Sequence, residues 1–438
     1  MRLFGTDGIR MRGKELTSGT LPYRIGLAVA RYFKEKCEGG KVRVLIGRDT
    51  RATGTAIERE LARGIAAGGG EAHSLGIAPT PAIGYLTEMH GYTCGISVSA
   101  SHNGAEYNGI KIIGADSKKL PDADEDMIDA IAATASAPSD ECDIDISDVS
   151  HLAEDYKAHV ISTARAPLRL KVALDAANGA AYLLAPQIFD SLGCECVTVG
   201  CSPNGENINY KCGATDTDAL CRTVIENGCD VGFAFDGDAD RCIAVNERGE
   251  VVDGDGEIAV IAEYLKKSAG ICGEVVGTVM TNGGLAEALL PLGLTLSRTA
   301  VGDKYVSDRM CLVGAALGGE SSGHIIISHL SRTGDGLVTA ALLAHILCES
   351  ECKFSYLCRN MKYFPQFSLD ILADKEKKAR FSSDERIGMA IAEAKRAIGG
   401  GRLITRPSGT EEKIRIMAES ASGALAGEVA RTLAMRIE

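Results

Sequence analysis

The stretch KVRVLIGRDTR, Lys41 to Arg51, reads as an apolar strand that ends in a polar Gly/Arg loop. A helical stretch through Glu58 to Ala67 follows, then Gly68 to Gly70 and a second apolar run. The plan recurs in RLKVALDAANGAAY, Arg169 to Tyr182, with a helix to Leu192, then Gly193 and the strand CECVTVG. It recurs again in GEVVGTVMTNGGLAEALL, Gly273 to Leu290, followed by Gly293 and TLSRTAVG. Strand, polar loop, helix, glycine, strand is a βαβ pattern, implying a parallel or mixed sheet covered by helices. Three copies predict an α/β chain with three domains of related topology. From about Tyr363 the pattern changes. A helix at about Asp384 to Ile398, a strand and loop in RLITRPSGTEEKIRIMAES, and a closing helix from about Ala424 predict a smaller α+β domain. The small, acidic, Pro-containing stretch Ala133 to Ser150 reads as an exposed connection. The expected boundaries are therefore 1–150, 151–252, 253–365 and 366–438.

Composition sets the class. The chain has 438 residues, 45% of them hydrophobic and 24% charged, which suits a globular protein of several domains. It contains no apolar run of about 18 residues, so no membrane span is expected. The start MRLFGTDGIR meets Asp7 too early for a signal peptide, and a cytoplasmic location is expected. Fifteen cysteines, an odd number with no CxxC pair, fit free thiols in a reducing compartment. The net charge of −12, the absence of Trp and the low aromatic content argue against a nucleic-acid partner. An anionic ligand would need positive charge supplied locally.

Four loops carry candidate chemistry. SVSASHNGAEYNGIKIIG, Ser97 to Gly114, sets Ser99, Ser101, His102 and Asn103 side by side before a strand that contains Lys111. Ser, Asn and Gly make this a loop, either an ordinary polar turn or a place for reactive side chains. A serine needs a base and a charge stabiliser to act as a nucleophile. His102 and Lys111 are the local candidates for the base.

VGFAFDGDADRCIAV, Val231 to Val245, alternates Asp236, Asp238 and Asp240 with small residues. Such spacing also opens an EF-hand loop, and Glu247 falls at its twelfth position. Arg241, however, stands where that loop needs Gly, and the flanks read as strands. A strand–loop–strand hairpin presenting three carboxylates to Mg²⁺ is the better account; a solvated acidic turn is the alternative.

GESSG, Gly319 to Gly323, matches the GxSxG elbow, but that elbow requires a helix after the serine. Here the strand-like HIIIS follows, so Ser321 is not read as a hydrolase nucleophile. GESSGH instead offers Glu320, Ser322 and His324 for hydrogen bonds to sugar hydroxyls. TRPSGTEEKIR, Thr405 to Arg415, combines Arg406 and Arg415 with Ser408, Gly409 and Thr410, suiting a phosphate anchor or an ordinary turn. Neither GxxxxGK[ST] nor GxGxxG occurs.

Taken together, and in this order, the four loops resemble those of the α-D-phosphohexomutases over the whole length. SASHN with NGIK looks like that family's phosphoserine loop, DGDADR its metal loop, GESSGH its sugar loop and RPSGTE its phosphate loop. FGTDGIR, PNGENINYKCGATD (Pro203 to Asp216), VGDKYV (Val301 to Val306) and RTGDG (Arg332 to Gly336) are similar to the branch that handles glucosamine phosphates. Gly104 and Glu412 stand where Pro is usual, Ser321 where Gln is frequent, and Lys304 where Arg is found. The same chemistry on mannose or glucose phosphates is the alternative, and a sugar-phosphate-binding protein without turnover is a more distant one.

The resemblance implies four domains closing on one central cleft. It implies a phosphorylated Ser101, and one Mg²⁺ held by Asp236, Asp238, Asp240 and a phosphoserine oxygen on Ser101. Arg406, Ser408, Gly409, Thr410 and Arg415 would bind the substrate's phosphate, and Glu320, Ser322 and His324 its ring. A sugar 1,6-bisphosphate would be the intermediate and activator. Lys111 could be the base if crowding by cations lowers its pKa. His102 would support the phosphoserine loop, and Arg241, Lys111 and Arg10 would offset the crowded negative charge. The implied substrate is a hexosamine phosphate, the implied assembly a monomer or homodimer, and the implied context the supply of amino-sugar precursors for cell-envelope polymers.

Overall fold

A computed structural model describes residues 2–5, 7–37, 40–135, 144, 146–408 and 412–437. It contains three mixed α/β sheets and one small antiparallel sheet. The first sheet has six strands in the order Ile9–Arg12, Tyr107–Gly114, Cys94–Val98, Arg43–Arg48, Glu71–Ile77, Ser147–Asp148. Arg43–Arg48 runs parallel to both of its neighbours, whereas Tyr107–Gly114 runs antiparallel to Cys94–Val98. The strand over Lys41 to Arg51 thus lies inside the sheet. Val44, Leu45 and Ile46 are fully buried, which is why its apolar residues run consecutively instead of alternating. The helices Leu21–Lys36 and Gly54–Ala67 cover one face. They approach so closely that a Cβ on Gly64 would lie 2.7 Å from the Leu27 nitrogen. Ser147–Asp148, at the end of the predicted exposed connection, instead pairs with Glu71–Ile77 and widens the sheet.

The second sheet has five strands, and in it Val231–Phe235 and Cys242–Asn246 form the antiparallel hairpin expected from the alternating aspartates. Both strands are buried throughout, so the loop between them is held at both ends by core. The third sheet has four strands, and its hairpin Leu317–Gly319 and Ile325–Ile327 carries the GESSGH loop. Helix Gly254–Ala269 starts at Asp253, whose side chain accepts the Gly256 N–H. Helix Gly336–Ser350 starts at Asp335, which accepts the Val338 N–H.

The chain divides into two compact units, Met1–Met280 with Leu292–Asn360, and Thr281–Pro291 with Met361–Glu438. In the second, Gln366–Leu372, Lys413–Glu419 and Arg402–Pro407 form an antiparallel sheet whose central strand is Lys413–Glu419. Helices Glu385–Ala397 and Gly423–Ile437 supply the other side of a core around Ile414, Ile416, Ala426 and Leu433. Helix Gly283–Leu289 belongs to this unit: the Gly283 N–H donates to the buried Glu419 carboxylate, which also pairs with Arg402. A helix at Lys375–Ser383 lies outside the sequence expectation. KEKKARFSS has no apolar stripe, and the start is fixed by Asp374, which accepts the Lys377 N–H. Every cysteine among the described residues is a free thiol, and no described helix is long and apolar enough to cross a membrane.

Candidate active site

In the first unit the serine loop meets the aspartate loop. Ser101 follows strand Cys94–Val98, is 1% exposed and has a left-handed backbone at φ 51°. Its Oγ donates to Asp236 Oδ2 at 2.6 Å and lies 3.2 Å from His102 Nδ1. The two loops touch backbone to backbone, since a Cβ on Gly237 would lie 2.5 Å from the Ser101 carbonyl oxygen. This explains the glycine inside DGDADR.

Asp236, Asp238 and Asp240 each present a carboxylate oxygen within 4.8 Å of the others, and all three residues are buried. Burial, then Asp240 and Asp238, push Asp236 well above the usual carboxylate range. For Asp240 burial acts upward too, but Lys111, His324 and Arg241 outweigh it and hold the group below its ordinary value. Asp238 Oδ1 and Asp240 Oδ1 are buried without a hydrogen-bond partner. Converging carboxylates with unmet acceptor oxygens are a donor set that fits a hard divalent cation.

Lys111 extends from strand Tyr107–Gly114 into this cluster. Its Nζ lies 3.1 Å from Asp238 Oδ2, 3.3 Å from Asp240 Oδ2 and 3.2 Å from Asp7 Oδ2. Its neighbours are carboxylates, so the crowding by cations on which a lowered pKa depended is not what surrounds it. Burial favours the neutral amine, yet Asp238, Asp7 and Asp240 outweigh it and raise the group well above its ordinary value. Lys111 Nζ is thus held by three carboxylates. His102 is the reverse: burial first, then Arg241 and Arg10, bring it down to about 4, so its imidazole is neutral at pH 7. Arg241 Nε sits 3.9 Å from Asp236 Oδ2 and 3.8 Å from Asp240 Oδ1. Arg10 is ion-paired with Asp7 and contributes to the field on both His102 and Lys111.

The GESSGH loop adjoins this cluster. Cys242, next to Arg241, donates its N–H to the Gly323 carbonyl at 3.0 Å, tying the two hairpins together. Glu320 accepts the Gly302 N–H through Oε1 at 3.1 Å, and Ser322 is half-buried beside it. His324 is buried with no hydrogen-bond partner on either ring nitrogen, and its Nε2 is 3.6 Å from Asp303 Oδ2. A cavity of about 790 Å³ opens here, lined in part by Lys119, Asp303, Lys304 and His324. Lys304 itself is paired with Asp122 at 2.6 Å.

In the second unit, Arg406 and Arg415 stand directly opposite each other on paired antiparallel strands. Like charges in that relation destabilise a sheet unless an anion joins them. Arg415 is also 4.0 Å from Asp370, and Ser408, which is buried, donates its N–H to the Lys413 carbonyl. Gly409 and Thr410 lie outside the described residues.

Several site residues escape the sequence reading. Thr80, at the start of helix Thr80–Met89, donates to Asp238 Oδ2 at 2.7 Å and fixes one metal-loop carboxylate from the first sheet. Asp7, Lys119 and Asp303 form a charge relay from Lys111 to His324. Asp49, Arg51 and Asn209 hold the serine loop. Asp7, Asp49, Arg51, Asn209 and Asp303 lie in quoted stretches (FGTDGIR, GRDTR, PNGENINYKCGATD and VGDKYV), but nothing in those stretches shows what they touch.

A buried hydroxyl set against converging carboxylates, compensating cations and a separate arginine pair defines a phosphoryl-transfer protein. Family models for phosphoglucomutase/phosphomannomutase match it throughout: α/β/α domain I over residues 1–139, II over 149–249, III over 253–364, and the C-terminal domain over 371–435. The chain belongs to this family of mutases, the α-D-phosphohexomutases. Its full-length relatives include the phosphoglucosamine mutase of Carboxydothermus hydrogenoformans, 40% identical over 445 residues and covering 100% of this chain and 99% of the relative. That of Moorella thermoacetica is 42% identical over 427 residues, covering 95% of each. Among solved structures, a phosphoglucomutase/phosphomannomutase family protein from Burkholderia thailandensis has a TM-score of 0.82 at 22% identity, covering 100% of this chain and 97% of that one. The N-acetylphosphoglucosamine mutase of Aspergillus fumigatus, solved with GlcNAc-6P and magnesium, has a TM-score of 0.69 at 18% identity, covering 99% and 95%. At these identities the structures show the shared fold.

Proposed function

We propose that the chain interconverts glucosamine 6-phosphate and glucosamine 1-phosphate through a phosphorylated Ser101. The observation that carries this is the 2.6 Å contact between Ser101 Oγ and Asp236 inside the buried three-aspartate cluster. Full-length relatives named phosphoglucosamine mutases support the choice of sugar.

In the proposed cycle the sugar O1 gives up its proton as it attacks the phosphorus of phosphoserine 101, and the bond from phosphorus to Ser101 Oγ breaks as Oγ takes up a proton, which the return transfer passes on to O6. The product is a 1,6-bisphosphate. After this intermediate turns round, Ser101 Oγ attacks the phosphorus on C6. The O6–phosphorus bond breaks, glucosamine 1-phosphate leaves, and the phosphoserine is restored. Asp236, Asp238 and Asp240, with an oxygen of phosphoserine 101, would hold Mg²⁺, which when bound offsets charge on the transferring group. Lys111, Arg241 and Arg10 supply fixed positive charge around the same phosphoryl group. Lys111, held as an ammonium, serves this electrostatic role better than that of a base. The neutral His102 imidazole, 3.2 Å from Ser101 Oγ, is placed to exchange a proton with that oxygen. Glu320 and Ser322 would bind ring hydroxyls, with His324 at the same face. Arg406, Ser408, Gly409, Thr410 and Arg415 would bind the phosphate that is not reacting, so that one anchor serves both ends of the sugar in turn. A phosphorylated sugar substrate supports a cytoplasmic location for the protein.

Turnover should be compared on glucosamine, glucose and mannose phosphates with catalytic 1,6-bisphosphate. A preference for glucosamine supports the assignment; equal or faster turnover of mannose or glucose phosphate transfers it to that sugar.

A further inference from the structure

Arg51 is 2% exposed and spends its guanidinium on the serine loop. Its Nη2 donates to the carbonyls of Ser101 at 3.1 Å and Asn103 at 2.6 Å, and its Nε donates to the Tyr107 carbonyl at 2.8 Å. Its Nη1 pairs with Asp49 Oδ2 at 3.1 Å. The same Asp49 oxygen accepts from Ser99 Oγ at 2.5 Å, and Ser99 Oγ accepts the Ser101 N–H at 2.9 Å. Both peptide groups flanking the Ser101 side chain therefore trace back to one buried ion pair. A second grip comes from another sheet's loops: Asn209 Nδ2 donates to the same two carbonyls, at 2.8 Å to Ser101 and 3.0 Å to Asn103.

This arrangement carries costs that packing alone would not retain. Asn209 Oδ1 is buried with no hydrogen-bond partner, and Asn209 and Ser101 both hold left-handed backbones, at φ 57° and 51°. Neither grip touches the Ser101 hydroxyl, which stays free for Asp236. We propose that Arg51 and Asn209 are positioning residues for phosphoryl transfer, clamping the Ser101 carbonyl so that the hydroxyl keeps its place as a phosphoryl group arrives and leaves. The inference rests on the mutase reading above. A displacement of about 1 Å at such a centre can cost ~10²-fold in rate.

Asn209→Gly and Arg51→Lys separate this role from folding. Glycine accepts the left-handed backbone and deletes the side chain that carries the amide; lysine keeps the buried charge and loses the fork. In each variant kcat should fall ~10- to 100-fold while KM for glucosamine 6-phosphate stays within about threefold. Phosphorylation of Ser101 by glucose 1,6-bisphosphate, followed by intact mass, should slow by the same factor and reach wild-type occupancy. Should Arg51→Lys not fold, Asn209→Gly carries the test, because it leaves the ion pair intact. Wild-type phosphorylation rates in a folded Asn209→Gly protein would overturn the proposal, as would a kcat loss matched by an equal fall in the folded fraction. If the wild-type protein is phosphorylated but does not turn over glucosamine phosphates, the sugar assignment fails and the clamp is still judged by its phosphorylation rate.

Discussion

Ser101 Oγ and Asp236 Oδ2, 135 positions apart in the chain, are joined by a 2.6 Å hydrogen bond. In the unmodified protein this hydroxyl, together with Arg241 and its backbone N–H, relieves Asp236, which burial and two neighbouring carboxylates push well above the usual range. Phosphorylation replaces that donor with a dianion facing three carboxylates. Only a cation between them makes the pair compatible, so the chemistry of the serine and of the aspartate cluster cannot be separated.

Mg²⁺ should accordingly stabilise the phosphorylated protein more than the Ser101→Ala variant. At a hundredfold excess over Kd, binding adds ~2.7 kcal/mol. Thermal unfolding of both forms in EDTA and in Mg²⁺ measures the difference, and equal gains would contradict the account. Asp236→Asn should cut kcat by ~10²–10³-fold, the scale for losing one preorganised charge-stabilising group. In EDTA it should also raise the melting temperature, because one of three crowded carboxylates is gone.

Lys111→Met leaves Asp238, Asp240 and Asp7 without their shared ammonium. Breaking a buried ion pair from one side costs about 3–5 kcal/mol, so the variant should unfold at much lower denaturant. Partial recovery of stability in Mg²⁺ is expected, because a dication replaces part of the lost charge. A Lys111→Met protein as stable as wild type in EDTA would remove the ammonium assignment.

Asp335 gives a pH dependence outside the three-aspartate cluster itself, with Asp240 adding to it. Burial, opposed by the Val338 N–H and the Tyr156 hydroxyl, raises this carboxyl from 3.8 to about 6. A carboxyl raised on folding adds stability while protonated, present in full below its unfolded value and lost as pH rises through about 6. Asp335→Asn keeps an acceptor for both partners and should flatten the stability profile between about pH 4 and 6. Its advantage above that window should be ~2–3 kcal/mol. Urea titrations across the range test this; parallel profiles for the two proteins would refute it.

Arg406 and Arg415 oppose each other in the register of the second unit's sheet. Arg406→Gln should raise KM for glucosamine 6-phosphate by ~10- to 100-fold, matching the loss of a charge-assisted hydrogen bond of about 1.5–3 kcal/mol. It should also abolish stabilisation by inorganic phosphate without lowering the phosphate-free melting temperature. A variant that melts early without phosphate and binds substrate normally would mark the pair as structural.

Much of this was legible in the sequence, for a local reason. Strand Arg43–Arg48 announces itself because a strand buried on both faces is apolar at consecutive positions. The aspartate hairpin, the GESSGH turn and the serine loop each place their chemistry within six residues or so of one another. What stayed hidden depends on distance along the chain. Arg51 reaches Ser101 across 50 positions, Thr80 reaches Asp238 across 158, and Asn209 reaches Ser101 across 108. No spacing rule reports such contacts. The same limit misplaced the electrostatics of Lys111. Its sequence neighbours are apolar, and the carboxylates that set its charge arrive from two other loops. The polar helix Lys375–Ser383 was missed because its N-cap, not an apolar stripe, defines it.

The central claim is that Ser101 carries the phosphoryl group. The direct measurement is intact mass with peptide mapping, before and after incubation with a glucosamine 1,6-bisphosphate and Mg²⁺. The account predicts one phosphoryl group on the peptide containing Ser101, absent in Ser101→Ala and discharged by glucosamine 6-phosphate. A protein that turns over substrate while Ser101 stays unmodified would contradict it.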